Sequence, residues 1–188
     1  MSIQIRDGLV DGARFVESPN QDERPEGMDI DLVVLHNISL PPGEFGGDWI
    51  ELLFTNRLPA DAHPYFAEIA GLKVSSHVLI RRDGTITQFV PFQKRAWHAG
   101  ASCHDGREHC NDFSIGIELE GTDDTPFDER QYQSLHELLS GLIDTYPGLN
   151  TETLTGHEHI APGRKTDPGP GFDWQRVRQS LAKRDIIA

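Results

Sequence analysis

SIGIELE, residues 114–120, is the stretch on which the reading of the fold turns. Ile115, Ile117 and Leu119 fall on alternate positions, with Ser114, Gly116, Glu118 and Glu120 between them. Successive side chains of a strand point to opposite faces, so this period of two predicts a β-strand with one apolar and one polar face. Upstream, Asp83-Gly84 lies between the β-rich runs Ser76–Ile80 and Thr85–Val90, and Asp-Gly in that setting predicts a hairpin. Ile30–Leu35 is an apolar, β-branched run of the kind found in buried strands, and it ends on His36-Asn37. Downstream, Tyr132, Leu135, Leu138, Leu139, Leu142, Ile143 and Tyr146 recur at helical spacing. They predict an amphipathic helix over 129–146, with Asp128 and Gln131 as a capping pair and Pro147-Gly148 as its stop. A short helix over 48–57 with Asp48 at its start, a short strand over 153–156 and a closing helix over 174–182 complete the reading. Strands and helices alternate irregularly, which predicts an α/β fold with a mixed central β-sheet flanked by helices and no regular doubly wound order.

The chain has 188 residues, a length that suits a single domain. Residues 17–29, ESPNQDERPEGMD, are polar and turn-rich, so 1–29 is expected to form an N-terminal arm and 30–182 the core. A formal net charge of −13 argues against nucleic acid as a partner, because displacing phosphate counterions takes a basic surface. The same sign disfavours an anionic membrane surface. Purely apolar runs are as short as Leu32–Leu35, far below the roughly 18 residues that cross a bilayer. The N-terminal sequence has no basic segment followed by an apolar one, which points to a cytoplasmic protein. Cys103 and Cys110, seven positions apart, read as two reduced thiols rather than a disulfide framework.

Nine histidines raise the question of metal. His36 ends one predicted strand, His157 follows another, and Asp167 lies ten residues beyond it. Ends of strands are where a rigid scaffold presents functional groups. Two neutral imidazoles and one carboxylate are a ligand set of catalytic zinc, with the fourth position left to water. His157 with His159 is a competing pair if that segment is extended. His98 reads as a wall of a site beside Trp97, His77 as a satisfied core histidine, and His63, His104, His109 and His136 as surface residues. Glu118 is either a proton shuttle or a solvated carboxylate on an edge strand. Lys165 is either a donor to a developing oxyanion or an ordinary loop lysine.

Five segments carry a resemblance over about residues 8–182: LHNISLPPGEFGG (35–47), HPYFAEI (63–69), RAWHAG (95–100), CNDFSIGIELEGTD (110–123) and GHEHIAPGRKTDPGP (156–170). Together they resemble the AmpD family of 1,6-anhydro-N-acetylmuramyl-L-alanine amidases, within the type 2 amidases and peptidoglycan recognition proteins. The resemblance implies a cytoplasmic zinc amidase of peptidoglycan recycling, monomeric, with one Zn2+ per chain and 1,6-anhydro-muropeptides as substrates. It implies His36, His157 and Asp167 as zinc ligands, Glu118 as the catalytic acid/base and Lys165 as an aid to the tetrahedral intermediate. It also implies Asn37, Tyr65, Trp97 and His98 around the substrate. Some members carry Arg where this chain has Lys73 and His109, so those two would be altered contacts to the peptide. Two alternatives stand beside it. One is a lytic amidase acting on intact cell wall, and the other is a muropeptide-binding module without catalysis.

Overall fold

The computed structural model describes residues 3–187, with side chains described as far as Lys183. β1 (Ile5–Arg6) and β2 (Leu9–Val10) make a short ribbon, followed by β3 (Arg14–Phe15), β4 (Gln21–Glu23) and β5 (Leu32–Ile38). Two short helices come next, α1 (Trp49–Phe54) and α2 (Pro64–Ile69). β6 (Val78–Ile80) and β7 (Ile86–Gln88) form the hairpin read from Asp83-Gly84, in which Gly84 takes a φ of +84°. β8 (Lys94–Ala96), a ribbon of β9 (Cys103–His104) and β10 (Arg107–Glu108), and β11 (Ser114–Glu120) lead to α3 (Glu129–Thr145). β12 (Leu154–Gly156), α4 (His157–Ile160) and α5 (Trp174–Ile187) close the chain.

Six strands form one mixed sheet in the order β12-β5-β11-β6-β7-β3. The first four run parallel, β7 is antiparallel to β6, and β3 is parallel to β7. SIGIELE is therefore a central strand, paired with β5 on one side and β6 on the other, and all seven of its residues are buried. The edge-strand reading of Glu118 fails for this reason: the polar side of the alternation is covered by protein. The apolar side behaves as expected. Ile115, Ile117 and Leu119 join Val33, Leu35, Val78 and Ile80 in a core closed by Leu135, Leu138, Leu139 and Leu142 of α3 and Val177 and Leu181 of α5.

Local signals explain how these elements begin and end. Asp128 Oδ1 accepts from the Arg130 amide at 3.0 Å, and the Asp128 amide donates back to Gln131 Oε1 at 3.0 Å, so α3 starts in a capping box. The Gln131 amide group also donates to the carbonyls of Ile80 and Glu120, fixing the helix start to the ends of β6 and β11. α1 is shorter than its predicted span, and Asp48 precedes it without a side-chain capping bond. Residues 17–29, expected as a surface arm, are tied down at two points. β4 pairs antiparallel with β8, and the Arg24 guanidinium donates to the carbonyls of Phe92, Asn111, Asp112 and Ser114. Burial lowers the Arg24 pKa to about 10, which leaves it charged at neutral pH. Cys103 is exposed, Cys110 is buried, and the two are not bonded to each other.

Candidate metal centre

β5 and β11 run parallel in a register that sets His36 opposite Glu118. Both residues lie near the carboxyl ends of their strands, where open α/β sheets present ligand sites. His157 opens α4 directly after β12, the strand on the other side of β5. Asp167 comes from the following loop, held by the Glu158 amide donating to its carbonyl at 2.9 Å. Asn37 steadies that loop from β5, its amide group donating to Asp123 Oδ1 at 2.7 Å and to the Pro168 carbonyl at 3.1 Å.

The result is a tight triangle of ligand atoms. His36 Nδ1 lies 3.0 Å from His157 Nδ1 and 2.9 Å from Asp167 Oδ2, and His157 Nδ1 lies 3.1 Å from the same carboxylate oxygen. These three form a group able to hold a metal ion. Bonds of about 2.0–2.1 Å in a tetrahedron space the ligand atoms by about 3.3 Å, close to what is seen. Protonation suits the same purpose. Burial lowers the His36 pKa to about 4, so it is neutral at pH 7. Burial works against the Asp167 charge, but the His157 and His36 nitrogens beside it prevail and hold its pKa well below the usual carboxylate range. Neutral imidazole and ionised carboxylate are the forms that bind metal. The outer nitrogen of His157, Nε2, donates to the Ala99 carbonyl at 3.0 Å, which leaves its Nδ1 lone pair facing the triangle. The residues present therefore fit a zinc ion.

Glu118 lies in the same cavity, a cleft of about 340 Å³, together with the three ligand residues and Lys165. Burial, with the Asp167 charge second, raises its pKa well above the ordinary value, and Lys165 opposes the shift. Its Oε2 is buried and has no hydrogen-bond partner. A carboxyl group in such a setting exchanges protons closer to neutrality than an exposed glutamate does. The opposite wall of the cleft is apolar, with Leu40, Pro42, Tyr65, Ile69 and Leu72. Trp97 and His98 also line the cleft.

Not every candidate from the sequence lies there. Lys73 and His109 are exposed and are not among the lining residues, although Lys73 is flanked by Leu72 and Val74, which are. The pairing of His157 with His159 fails, because α4 is helical and turns the exposed His159 away towards Trp174. His77 is a buried, satisfied histidine, as expected, with Nδ1 accepting from the Gly116 amide and Nε2 against the Lys94 carbonyl. His63, expected as an uncommitted surface residue, instead caps α2 through the Tyr65 amide. Three further residues that sequence reading missed support the centre. Arg164 donates to the Ala99 and Ala101 carbonyls at 2.6 Å each, Asn111 Oδ1 accepts the His98 and Ala99 amides, and Ser114 Oγ contacts His98. Ser114 had shown only as part of the strand face that carries Glu118, and Asn111 and Arg164 only as members of the quoted segments.

With this geometry in place, comparison with known proteins is direct. The family model Amidase_2, N-acetylmuramoyl-L-alanine amidase, matches residues 26–170. The protein of Escherichia coli (strain K12) named 1,6-anhydro-N-acetylmuramyl-L-alanine amidase AmpD is 59% identical over 179 residues, covering 95% of this chain and 97% of its own. A crystal structure of a selenomethionine derivative of AmpD matches with a TM-score of 0.93 at 57% identity, over 95% of this chain and 99% of that one. More remote is the N-acetylmuramyl-L-alanine amidase AmiD from E. coli, solved in complex with the substrate anhydro-N-acetylmuramic acid-L-Ala-D-gamma-Glu-L-Lys. It matches with a TM-score of 0.60 at 29% identity, over 95% of this chain and 65% of that one.

Proposed function

The chain belongs to the N-acetylmuramoyl-L-alanine amidase family, in its AmpD branch, and from that premise we propose that it is a zinc amidase of peptidoglycan recycling. It cuts the amide between the lactyl group of 1,6-anhydro-N-acetylmuramic acid and the L-alanine of the stem peptide. Residues 1–188 act as one such domain with its core over 30–182, as a monomer in the cytoplasm. The observation that carries the reading is the triangle of His36, His157 and Asp167 beside a buried glutamate in one cleft. The complex of the more remote relative with an anhydro-muropeptide supports the substrate class.

His36, His157 and Asp167 would hold one zinc ion. When bound, that ion supplies Lewis acidity and brings the pKa of water down to about 7. Glu118 takes the proton from the attacking water, its raised pKa suiting the carboxylate to that transfer and the acid to the next. The same group then returns the proton to the alanine nitrogen as the C–N bond breaks. Lys165 lies in the cleft with its ammonium group available to the oxygen that gains negative charge. Tyr65, Trp97 and the apolar wall hold the sugar and the first residues of the peptide. Lys73, at the rim, pairs with a peptide carboxylate.

Metal content and turnover of an anhydro-muramyl-tripeptide, before and after chelation and zinc return, test this reading. One zinc per chain, activity lost with the metal and regained with it, is the expected result. Digestion of intact sacculi in parallel separates recycling from wall lysis. Faster release from sacculi than from the soluble muropeptide would overturn the recycling assignment, and binding without turnover would overturn the enzyme.

A further inference from the structure

His36 and His157 both face the metal triangle through Nδ1, so both must carry their proton on Nε2. For His157 the Ala99 carbonyl, which can only accept, fixes this directly. The outer nitrogen of His36 meets no carbonyl. It lies 3.0 Å from Nδ1 of a third imidazole, His98. Two imidazole nitrogens in contact leave the proton's place undecided unless something beyond them decides it.

That something is on the far side of His98. Its Nε2 lies 3.1 Å from Ser114 Oγ, and the same hydroxyl lies 2.5 Å from the Cys110 carbonyl. A serine hydroxyl has one hydrogen, and a carbonyl only accepts. The hydrogen therefore points at Cys110, and Ser114 Oγ must accept from His98. His98 then carries its proton on Nε2, its Nδ1 is a lone pair, and His36 Nε2 must donate to it. One backbone carbonyl sets the polarity of the whole chain. Two oxygens 2.5 Å apart with no hydrogen between them would repel, so the arrangement that keeps the Ser114 hydrogen on the Cys110 carbonyl is the one the contact allows.

We infer that His98 is a positioning residue for the metal centre: the chain Cys110 C=O, Ser114, His98, His36 keeps the His36 Nδ1 lone pair directed at the metal. The inference rests on the zinc reading above. The fold makes room for the chain at one point. A Cβ on Gly116 would fall 2.4 Å from Cγ of His98, so the glycine in the middle of SIGIELE lets the His98 ring lie against the central strand. Asn111 Oδ1 anchors the backbone that carries the ring by accepting the amide of His98 at 3.1 Å. Because the acceptor is a neutral imidazole rather than a carboxylate, the ligand is oriented without another negative charge beside Asp167.

The test has two parts. Nitrogen-15 imidazole NMR of the wild-type protein, metal-free and zinc-loaded, reads the His98 tautomer. The proton is expected on Nε2 in both, and a proton on Nδ1 would overturn the inference whether or not zinc binds. Zinc affinity by chelator competition then separates relay from packing. His98→Phe is expected to bind zinc about 10- to 100-fold more weakly. His98→Gln, whose amide offers an acceptor and a donor at similar spacing, should recover most of the loss. Ser114→Ala, which removes no ring, should weaken binding by up to about tenfold and release the His98 tautomer. If His98→Phe folds and binds zinc within about threefold of the wild type, the inference fails. If His98→Phe does not fold, Ser114→Ala decides: unchanged affinity with an unchanged tautomer overturns it. Failure of the wild type itself to bind zinc would count against the amidase reading instead, and the tautomer measurement would still stand.

Discussion

β5 and β11 each bury two faces, and the two faces are filled with different matter. Towards α3 and α5 lie Ile115, Ile117, Leu119, Val33 and Leu35, a hydrocarbon layer with no polar contribution from the strands. Towards α4 and the 98–99 segment the same strands carry Leu32 and Val34 opposite Ser114 and Gly116 at one end, and His36 opposite Glu118 at the other. Both faces exclude water. On the first, exclusion stabilises the fold at roughly 25 cal/mol per Å² of apolar surface. On the second, it costs stability and is spent on shifting protons, since burial is the main cause of the shifts at His36, His98 and Glu118. A single stretch of seven residues therefore serves cohesion and chemistry at once, and the two should come apart under mutation.

The sharpest separation is expected at Glu118. Glu118→Ala should cut turnover by about 10²- to 10⁴-fold, while zinc content stays at one per chain. The metal-free melting temperature should hold or rise, because a buried carboxyl with an unpartnered oxygen is removed. Near-normal turnover would remove Glu118 from the mechanism. One position along, Ile117→Ala should do the reverse. It is fully buried in the apolar layer, and the truncation should cost about 2–5 kcal/mol in urea unfolding, with zinc affinity of the folded protein unchanged. A parallel loss of zinc affinity would show that the faces are coupled.

Acid should expose the cost of the polar face. His77 is held to about 3 and His36 to about 4, chiefly by burial, whereas in the unfolded chain both titrate near about 6.5. Between those values the unfolded chain binds the protons and the folded chain does not, so stability rises with pH. The metal-free protein should lose about 1.4 kcal/mol per pH unit for each such histidine as pH falls from about 6.5 towards 4. Urea midpoints at pH 7.5, 6 and 5 check this, and a flat series would contradict it. The smallest effect belongs to the end of the apolar layer. Asp128→Ala removes the α3 capping box and should lower the urea midpoint slightly, with no change in turnover.

What the sequence made legible follows the same division. The Asp83-Gly84 turn, the Asp128–Gln131 cap and the apolar stripe of α3 are local, and each was read within a residue or two. The three residues of the metal triangle were legible as a candidate set because each sits at or just past the end of an apolar strand run or in the loop beyond. The surroundings were not. Alternation in SIGIELE reports two faces but cannot tell solvent from a histidine ring brought in from the loop after β8, so Glu118 also read as an edge residue. Carbonyls such as Ala99 and Cys110 leave no mark in a sequence, yet they orient the imidazoles. Arg24 looked like one more charge in a polar arm, and only the fold shows it satisfied by four carbonyls beneath β11.

The register of β5 against β11 has a consequence for how such a protein can change over time. His36 and Glu118 face each other across one rung of a parallel ladder, about 4.8 Å wide. A slip of one residue would put Asn37 or Leu35 opposite Glu118 and turn the side chains to the wrong faces. The spacing between His36 and Glu118 is therefore available only in whole steps, none of which keeps both groups in place. The wall formed by Leu40, Pro42, Tyr65 and Leu72 sits on the segments around α1 and α2, where residues can be exchanged one at a time and lengths altered. New substrates can be reached gradually along those segments, while the chemistry stays locked to the lattice of the sheet.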